Sequence, residues 1–210
     1  MPFIYYTYYS PVSDSIPAVA SQEHLLGRQL LLNGLNKRYG IHFSLPELEH
    51  NLQIDANGKP FLPAHPGLYF NISHCDGLAA CAFHSRPVGI DAELPGYFAP
   101  ILIKKALAEK EALFLQQKGS STPLLQEWFF RFWTLKEAYV KKTGTGVDVN
   151  LRAFTFTFQE TELPAKIQCS DPKVTCWQTK LAQGQILSLC FEDTGEPVRL
   201  IEVTDEKHSG

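Results

Sequence analysis

The chain contains no apolar run approaching the roughly 20 residues that a helix needs to cross a bilayer. Its N-terminus, MPFIYYTYYS, has neither the basic segment nor the small-residue cleavage site of a secretory signal. It reads instead as a first strand rich in tyrosine. The five cysteines, Cys75, Cys81, Cys169, Cys176 and Cys190, are odd in number and show no CxxC spacing. Neither a disulfide framework nor a zinc site is therefore expected; reduced, buried thiols in a cytoplasmic protein are. Positive charge is not in excess either. A formal net charge of −3 over 210 residues argues against a nucleic-acid binder, though it leaves room for a local basic patch facing an anionic ligand. No GxxxxGK[ST] or GxGxxG phosphate motif occurs, and the glycines of KTGTGV (Lys142–Val147) read as a helix stop and turn. There is no internal repeat, low-complexity tract or long linker.

What remains is a soluble globular composition, 44% hydrophobic and 20% charged, long enough for one generous domain or two small ones sharing a core. The segment SQEHLLGRQLLLNGLNKRYG has apolar residues near helical spacing, with Ser21 as the expected N-cap and Gly40 as the stop. Asn57-Gly58 marks a turn. GLYFNISH and LAACAF read as two strands joined tightly at Asp76-Gly77, and RPVGIDAEL as a third, entered from Pro87. One or two helices are expected between about residues 100 and 118, then a long one over TPLLQEWFFRFWTLKEAYVKK with Pro123 just inside its start. The runs AFTFTF, KVTCWQT, QILSLCF and VRLIEV are strand-like. The fold class expected is α+β, in two similar halves, residues 1–100 and 101–210.

Three constellations carry candidate chemistry. On a GIDAEL strand, Asp91 and Glu93 share one face, about 7 Å apart. Two like charges there need something positive between them, and a hard divalent cation, magnesium above all, is the natural candidate; a solvent-facing edge where acids are tolerated is the alternative. In FNISHCDG, Ser73 and His74 end a strand and could donate to a phosphate. Being neighbours they point to opposite faces, which speaks against a nucleophile–base pair. In WTLKEAYVKKTGTG, Glu137 and Lys141 are one helical turn apart. Such a pair is commonly surface decoration worth about 0.2–0.5 kcal/mol. Here, however, the carboxylate flanks the aromatic stripe Phe129, Trp133 and Tyr139, where it needs a partner, and a metal shared with Asp91 and Glu93 would serve.

Taken in order, GKP at Gly58–Pro60, FNISH at Phe70–His74, GIDAE at Gly89–Glu93 and FWTLKEAYVKKTGTG at Phe132–Gly146 resemble a 4'-phosphopantetheinyl transferase of the monomeric Sfp type. That resemblance implies a pseudo-two-fold α+β fold and a cytoplasmic monomer. Its reaction is transfer of the 4'-phosphopantetheine group of coenzyme A to a serine of an apo acyl or peptidyl carrier protein, with release of adenosine 3',5'-bisphosphate. By resemblance, Asp91, Glu93 and Glu137 hold Mg²⁺ against the pyrophosphate. Ala92 stands where some relatives carry a further acid, so water would complete the ligands. Lys141 reaches the pyrophosphate. Glu137 is the candidate base, with Glu111 of AEKEALF a second. Ser73, His74, Lys59, Asn71 and Arg28 would line the coenzyme A phosphates, Arg28 sharing that work with Lys37 or Arg38 or else being a plain surface arginine. Fatty-acid-like or polyketide pathways are the expected setting, with no nucleic-acid or membrane partner. Lys104, Lys105 or Lys142 are candidates for docking an acidic carrier helix. Two alternatives stay open: a coenzyme A or carrier-binding module without transfer activity, and a magnesium-dependent hydrolase of nucleotide pyrophosphates.

Overall fold

The computed structural model describes residues 1–118, 122–146, 149–159, 162–165, 167–192 and 195–204. Strand β1 (Phe3–Tyr8) leads to helix α1 (Ile16–Tyr39) and a short helix α2 (Leu45–Asn51). A two-strand ribbon, β2 (Gln53–Ile54) and β3 (Pro60–Phe61), follows, then the hairpin β4 (Tyr69–Cys75) and β5 (Leu78–His84), then β6 (Gly89–Glu93). Helices α3 (Ile101–Ala106), α4 (Glu109–Gln117) and α5 (Thr122–Thr143) come next, and a 3-10 turn at Leu151–Ala153. Strands β7 (Phe156–Phe158), β8 (Ile167–Cys169), β9 (Thr175–Lys180), β10 (Ile186–Phe191) and β11 (Arg199–Glu202) finish the described chain.

Two sheets form the centre, in the orders β11-β1-β5-β4 and β6-β10-β9-β8-β7. Period-two alternation decides which side chain goes where. On β5, Ala79, Cys81 and Phe83 pack under α1 with Leu30, Leu31 and Leu35. Leu78, Ala80 and Ala82 face the other way, against Leu187, Leu189 and Phe191 of β10. The outer face of the second sheet meets α5 through Phe129, Phe132, Leu135, Phe156 and Cys190. The layers are therefore helix, sheet, sheet, helix. β5 and β10 are buried along their whole length, which explains why their sequences are continuously apolar rather than alternating. All five cysteines are buried free thiols.

The order helix, hairpin, outgoing strand occurs twice: α1, β4–β5, β6, then α5, β9–β10, β11. Each outgoing strand joins the sheet of the other hairpin. β6 pairs antiparallel with β10, Asp91 opposite Ser188, and β11 pairs parallel with β1. A cut at residue 100 thus does not separate the sheets, since each half lends one strand to the other.

Helix α1 begins at Ile16 with Ser15 as its cap residue, earlier than the expected Ser21, whose hydroxyl instead donates to the Pro17 carbonyl inside the helix. Proline at the first positions fits a helix start and sets it there. Gly40 is the stop as expected, in the left-handed conformation at φ 63°. Helix α2 was not foreseen, although Ser44 and Glu47 form a full capping box. In KTGTGV, Gly144 and Gly146 have positive φ; Val147 lies outside the described residues, as does the end of the expected second half from residue 205.

Candidate active site

Gly89 opens the GIDAE strand because α5 crosses directly over it. A Cβ there would overlap the Ala138 carbonyl oxygen and the Lys142 amide nitrogen. That close approach brings one face of α5 onto the acids of β6. Lys141 Nζ lies 2.6 Å from Asp91 Oδ1 and donates to Ser73 Oγ at 3.2 Å. Lys141 is therefore paired with an acid fifty residues away in sequence rather than decorating its own helix.

Asp91 is 5% exposed and its carboxyl is held above the ordinary range, burial being the main cause, with Lys141 and Ser73 pulling the other way. Its second oxygen, Oδ2, is buried without a hydrogen-bond partner. Glu93 is pushed up to about 7 by burial, then by the Asp91 charge; Lys141 and a hydrogen bond with Trp133 oppose this. Glu137 is raised by burial and by Asp91, with Lys141 again opposing. Three carboxyls thus feel one another around a single ammonium, and the cluster is short of positive charge.

Among the described residues no three His, Cys, Asp or Glu side chains stand close enough together to hold a metal ion. The acids are electrostatic neighbours without converging on one point, and the Lys141 ammonium sits against Asp91 Oδ1 while Oδ2 stays without a partner. The donor set itself fits a hard cation: oxygen ligands only, one orphaned buried oxygen and excess negative charge.

Glu137 and Lys141 form part of the wall of a cleft of about 540 Å³, with Lys59, Asn71 and Trp133. A second hollow of about 490 Å³, lined by Phe61, His65, Tyr69 and Lys142 among others, shares Asn57, Lys59, Pro60 and Gly144 with it. The two hollows therefore adjoin, with Lys59 in the lining of both.

The side chains expected at phosphates are largely committed elsewhere. Lys59 Nζ donates to the Val88 carbonyl at 3.0 Å and to the Lys141 carbonyl at 2.6 Å, clamping β6 to the last turn of α5; burial lowers its ammonium to about 8. Asn71 Oδ1 accepts from the Ile90 amide at 2.9 Å, and Ser73 Oγ from the Ala92 amide at 3.1 Å. β4 therefore holds β6 through side chains rather than a backbone ladder. His74 points to the opposite face, exposed, with Nδ1 3.2 Å from Glu23 Oε2. Glu23 also accepts from the Tyr9 hydroxyl at 2.5 Å; nothing in the local sequence pattern marked it. Arg28 pairs with Glu49 at 2.7 Å, and Arg38 lies over the Phe3 ring and donates to Tyr5, so both serve the first-half helix.

Glu111 is corrected. It is 1% exposed, one oxygen accepting from the Phe156 amide at 2.7 Å, the other from the Ala108 amide at 2.9 Å and from Lys136 Nζ at 2.8 Å. A base must meet the hydroxyl of a macromolecule, and this carboxylate is sealed inside the second half. Lys142 is 8% exposed, 4.0 Å from Glu192, which removes it from the docking lysines; Lys104 and Lys105 are exposed on α3.

Residues 87–190 match the family model of the 4'-phosphopantetheinyl transferase superfamily. The chain is 30% identical to the 4'-phosphopantetheinyl transferase gsp of Aneurinibacillus migulanus over 78% of its own length and 68% of the relative's. It is 27% identical to Sfp of Bacillus subtilis (strain 168), covering 87% and 80%, and 33% identical to psf-1 of Bacillus pumilus, covering 71% and 64%. The matched segment holds β6 and α5, the two elements that gather the acids around Lys141, and on fold, site and similarity together this chain belongs to the 4'-phosphopantetheinyl transferase superfamily.

Proposed function

We propose that this chain transfers the 4'-phosphopantetheine group of coenzyme A to a serine of an apo acyl or peptidyl carrier protein. The observation that supports this reading most is the cluster of Asp91, Glu93 and Glu137 around Lys141, with Glu137 and Lys141 in the wall of a cleft, in a chain of this superfamily. In the proposed reaction the carrier serine Oγ bonds to the β-phosphorus of coenzyme A. The bond from that phosphorus to the bridging oxygen breaks, and adenosine 3',5'-bisphosphate leaves with the electron pair. Glu137 takes the serine proton. Burial and the neighbouring Asp91 raise its carboxyl, which brings its proton affinity closer to that of a useful base. Lys141 exchanges Asp91 for the pyrophosphate, where an ammonium offsets charge gathering on the leaving oxygen.

Asp91, Glu93 and Glu137 are the residues that would hold Mg²⁺, which would supply charge neutralisation at the pyrophosphate. With Lys141 moved to the phosphate, Asp91 Oδ1 keeps the Ser73 hydroxyl alone and Oδ2 has no partner, so the carboxylate can take a ligand. We take the chain to act as a cytoplasmic monomer whose two halves, 1–100 and 101–210, meet at this seam.

The test is to mix the protein with apo carriers, coenzyme A and Mg²⁺, and to weigh the carrier. Phosphopantetheine mass on the carrier serine, with adenosine 3',5'-bisphosphate released in equal amount, is expected. Binding of coenzyme A with no transfer to any carrier would favour a binding module instead. Phosphopantetheine released without a carrier would point to a pyrophosphate hydrolase.

A further inference from the structure

Helix α1 covers the face of β4 that carries His74, and a glycine sets how the two elements meet. A Cβ on Gly27 would stand 2.8 Å from Ile72 Cγ2, so the helix lies directly on the strand there. One helical turn before Gly27 comes Glu23, and two residues after Ile72, on the same strand face, comes His74. Glu23 Oε2 consequently stands 3.2 Å from His74 Nδ1. The other oxygen of Glu23 accepts from the Tyr9 hydroxyl at 2.5 Å, and that hydroxyl also lies 3.2 Å from the Cys75 carbonyl oxygen. Tyr9 follows β1, and its amide donates to the Gly77 carbonyl in the turn after β4. The Glu23 side chain is 14% exposed and that of His74 48%. The carboxylate is anchored from beneath, and the imidazole is the part that meets solvent.

We infer that Glu23 is a positioning residue for His74, holding the ring by Nδ1 and turning Nε2 outward to a phosphate of coenzyme A. The inference rests on the transferase reading and on the phosphate contact expected of His74. The two ring nitrogens are distinct, and the partner of one decides what the other can do. With Nδ1 kept on the carboxylate, Nε2 is the nitrogen left for a ligand. Both nitrogens donate in the protonated ring, so an imidazolium can bridge the Glu23 carboxylate and a phosphate. No lysine or arginine precedes Arg28, and Arg28 is paired with Glu49. A protonated His74 is therefore the cation that this end of the site offers. Ile72, on the same strand face, lines the cleft that Glu137 and Lys141 also line, which connects His74 to the reacting groups along one surface.

Calorimetry with coenzyme A, run on wild type, Glu23→Ala, His74→Ala and the double variant, tests this as a double-mutant cycle. Glu23→Ala is expected to raise Kd by about 5–50-fold, with KM for coenzyme A rising too and kcat at saturating coenzyme A staying within about threefold. In the His74→Ala background the same substitution is expected to change Kd by less than about twofold, because no ring remains to be oriented. Glu23→Gln keeps an oxygen that can accept from Nδ1 and is expected to restore part of the affinity; it replaces Glu23→Ala in the cycle if that variant is not recovered folded. A lower Kd in the Glu23 variant overturns the inference, since the carboxylate would then be repelling the phosphate. So does an unchanged Kd, a full effect that persists without His74, or wild-type affinity in His74→Ala. Failure of the wild type to modify any carrier sinks the transferase reading alone, because calorimetry needs no carrier and still decides the inference. A wild type that binds no coenzyme A overturns both.

Discussion

Lys141 Nζ stands 2.6 Å from Asp91 Oδ1, joining the last turn of the long second-half helix to the edge strand that enters from the first half. The Lys141 side chain is 30% exposed and that of Asp91 7%. One partner can therefore swing into solvent or onto a ligand while the other stays fixed. This asymmetry makes the pair suited to being opened, and the two residues are expected to respond differently to substitution.

Asp91→Asn keeps the shape and removes the charge. Turnover is expected to fall more than about 100-fold, the range typical of losing a group that stabilises transition-state charge. Stability is expected to hold or to rise, because the carboxylate is buried with one oxygen unpaired and its ionised form is disfavoured there. Carrier modification rates and a melting curve check both arms. Wild-type turnover would remove Asp91 from the site.

Lys141→Met removes the ammonium that opposes the upward shift of the Asp91, Glu93 and Glu137 carboxyls, and fills a similar volume. Loss of at least tenfold in kcat is expected, together with a lower melting temperature at pH 8 than at pH 5, where the acids can take up protons. A change smaller than twofold in kcat would return Lys141 to surface decoration.

Glu93 titrates near 7 in the folded chain, above its ordinary 4.5. An acid raised on folding binds its proton better in the native state, so its contribution to stability is fully present below about pH 4.5 and is lost as pH rises through about 7. Cation-free wild type is expected to lose stability over that window relative to Glu93→Gln. Chemical denaturation of both proteins from pH 5 to 8 measures it, and parallel curves would reject the assignment.

Glu111→Ala is expected to cost about 3–5 kcal/mol of stability, since it strands the fully buried Lys136 ammonium and two buried or half-buried amides. Urea unfolding gives the number. In the protein that remains folded, KM for coenzyme A is expected to match wild type; a selective loss of kcat with unchanged stability would reinstate Glu111 as a base.

Much of this site was legible in the sequence because its parts lie in short elements with strict periodicity. Asp91 and Glu93 fall on one face of β6 by alternation, and Glu137 and Lys141 on one side of α5 by the helical repeat. The element types followed from apolar patterning and from Asp76-Gly77, Pro123 and Gly40. What was not legible is pairing across the chain. Nothing local says that β6 leaves its own half to lie beside β10, or that β11 runs parallel to β1. The same blindness affected side chains. Ser73, Asn71 and Lys59 are residue types that bind phosphates, and only tertiary contacts reveal that they also bond backbone amides and carbonyls at β6 and α5. Glu111 looked like a site acid because the pattern gives its helix position but not the Lys136 ammonium waiting beneath it. The helix at Leu45–Asn51 is legible too, from the Ser44 and Glu47 capping pair at its start.

The reciprocal loan of β6 and β11 has a mechanical consequence. Neither half can come apart while the other stays whole, because pulling one open strips an edge from its neighbour's sheet. Unfolding should then be a single concerted event. Separately expressed halves should be poor solo folders that recognise each other's exposed edges and reassemble, and only the reassembled pair would bring Lys141 back to Asp91.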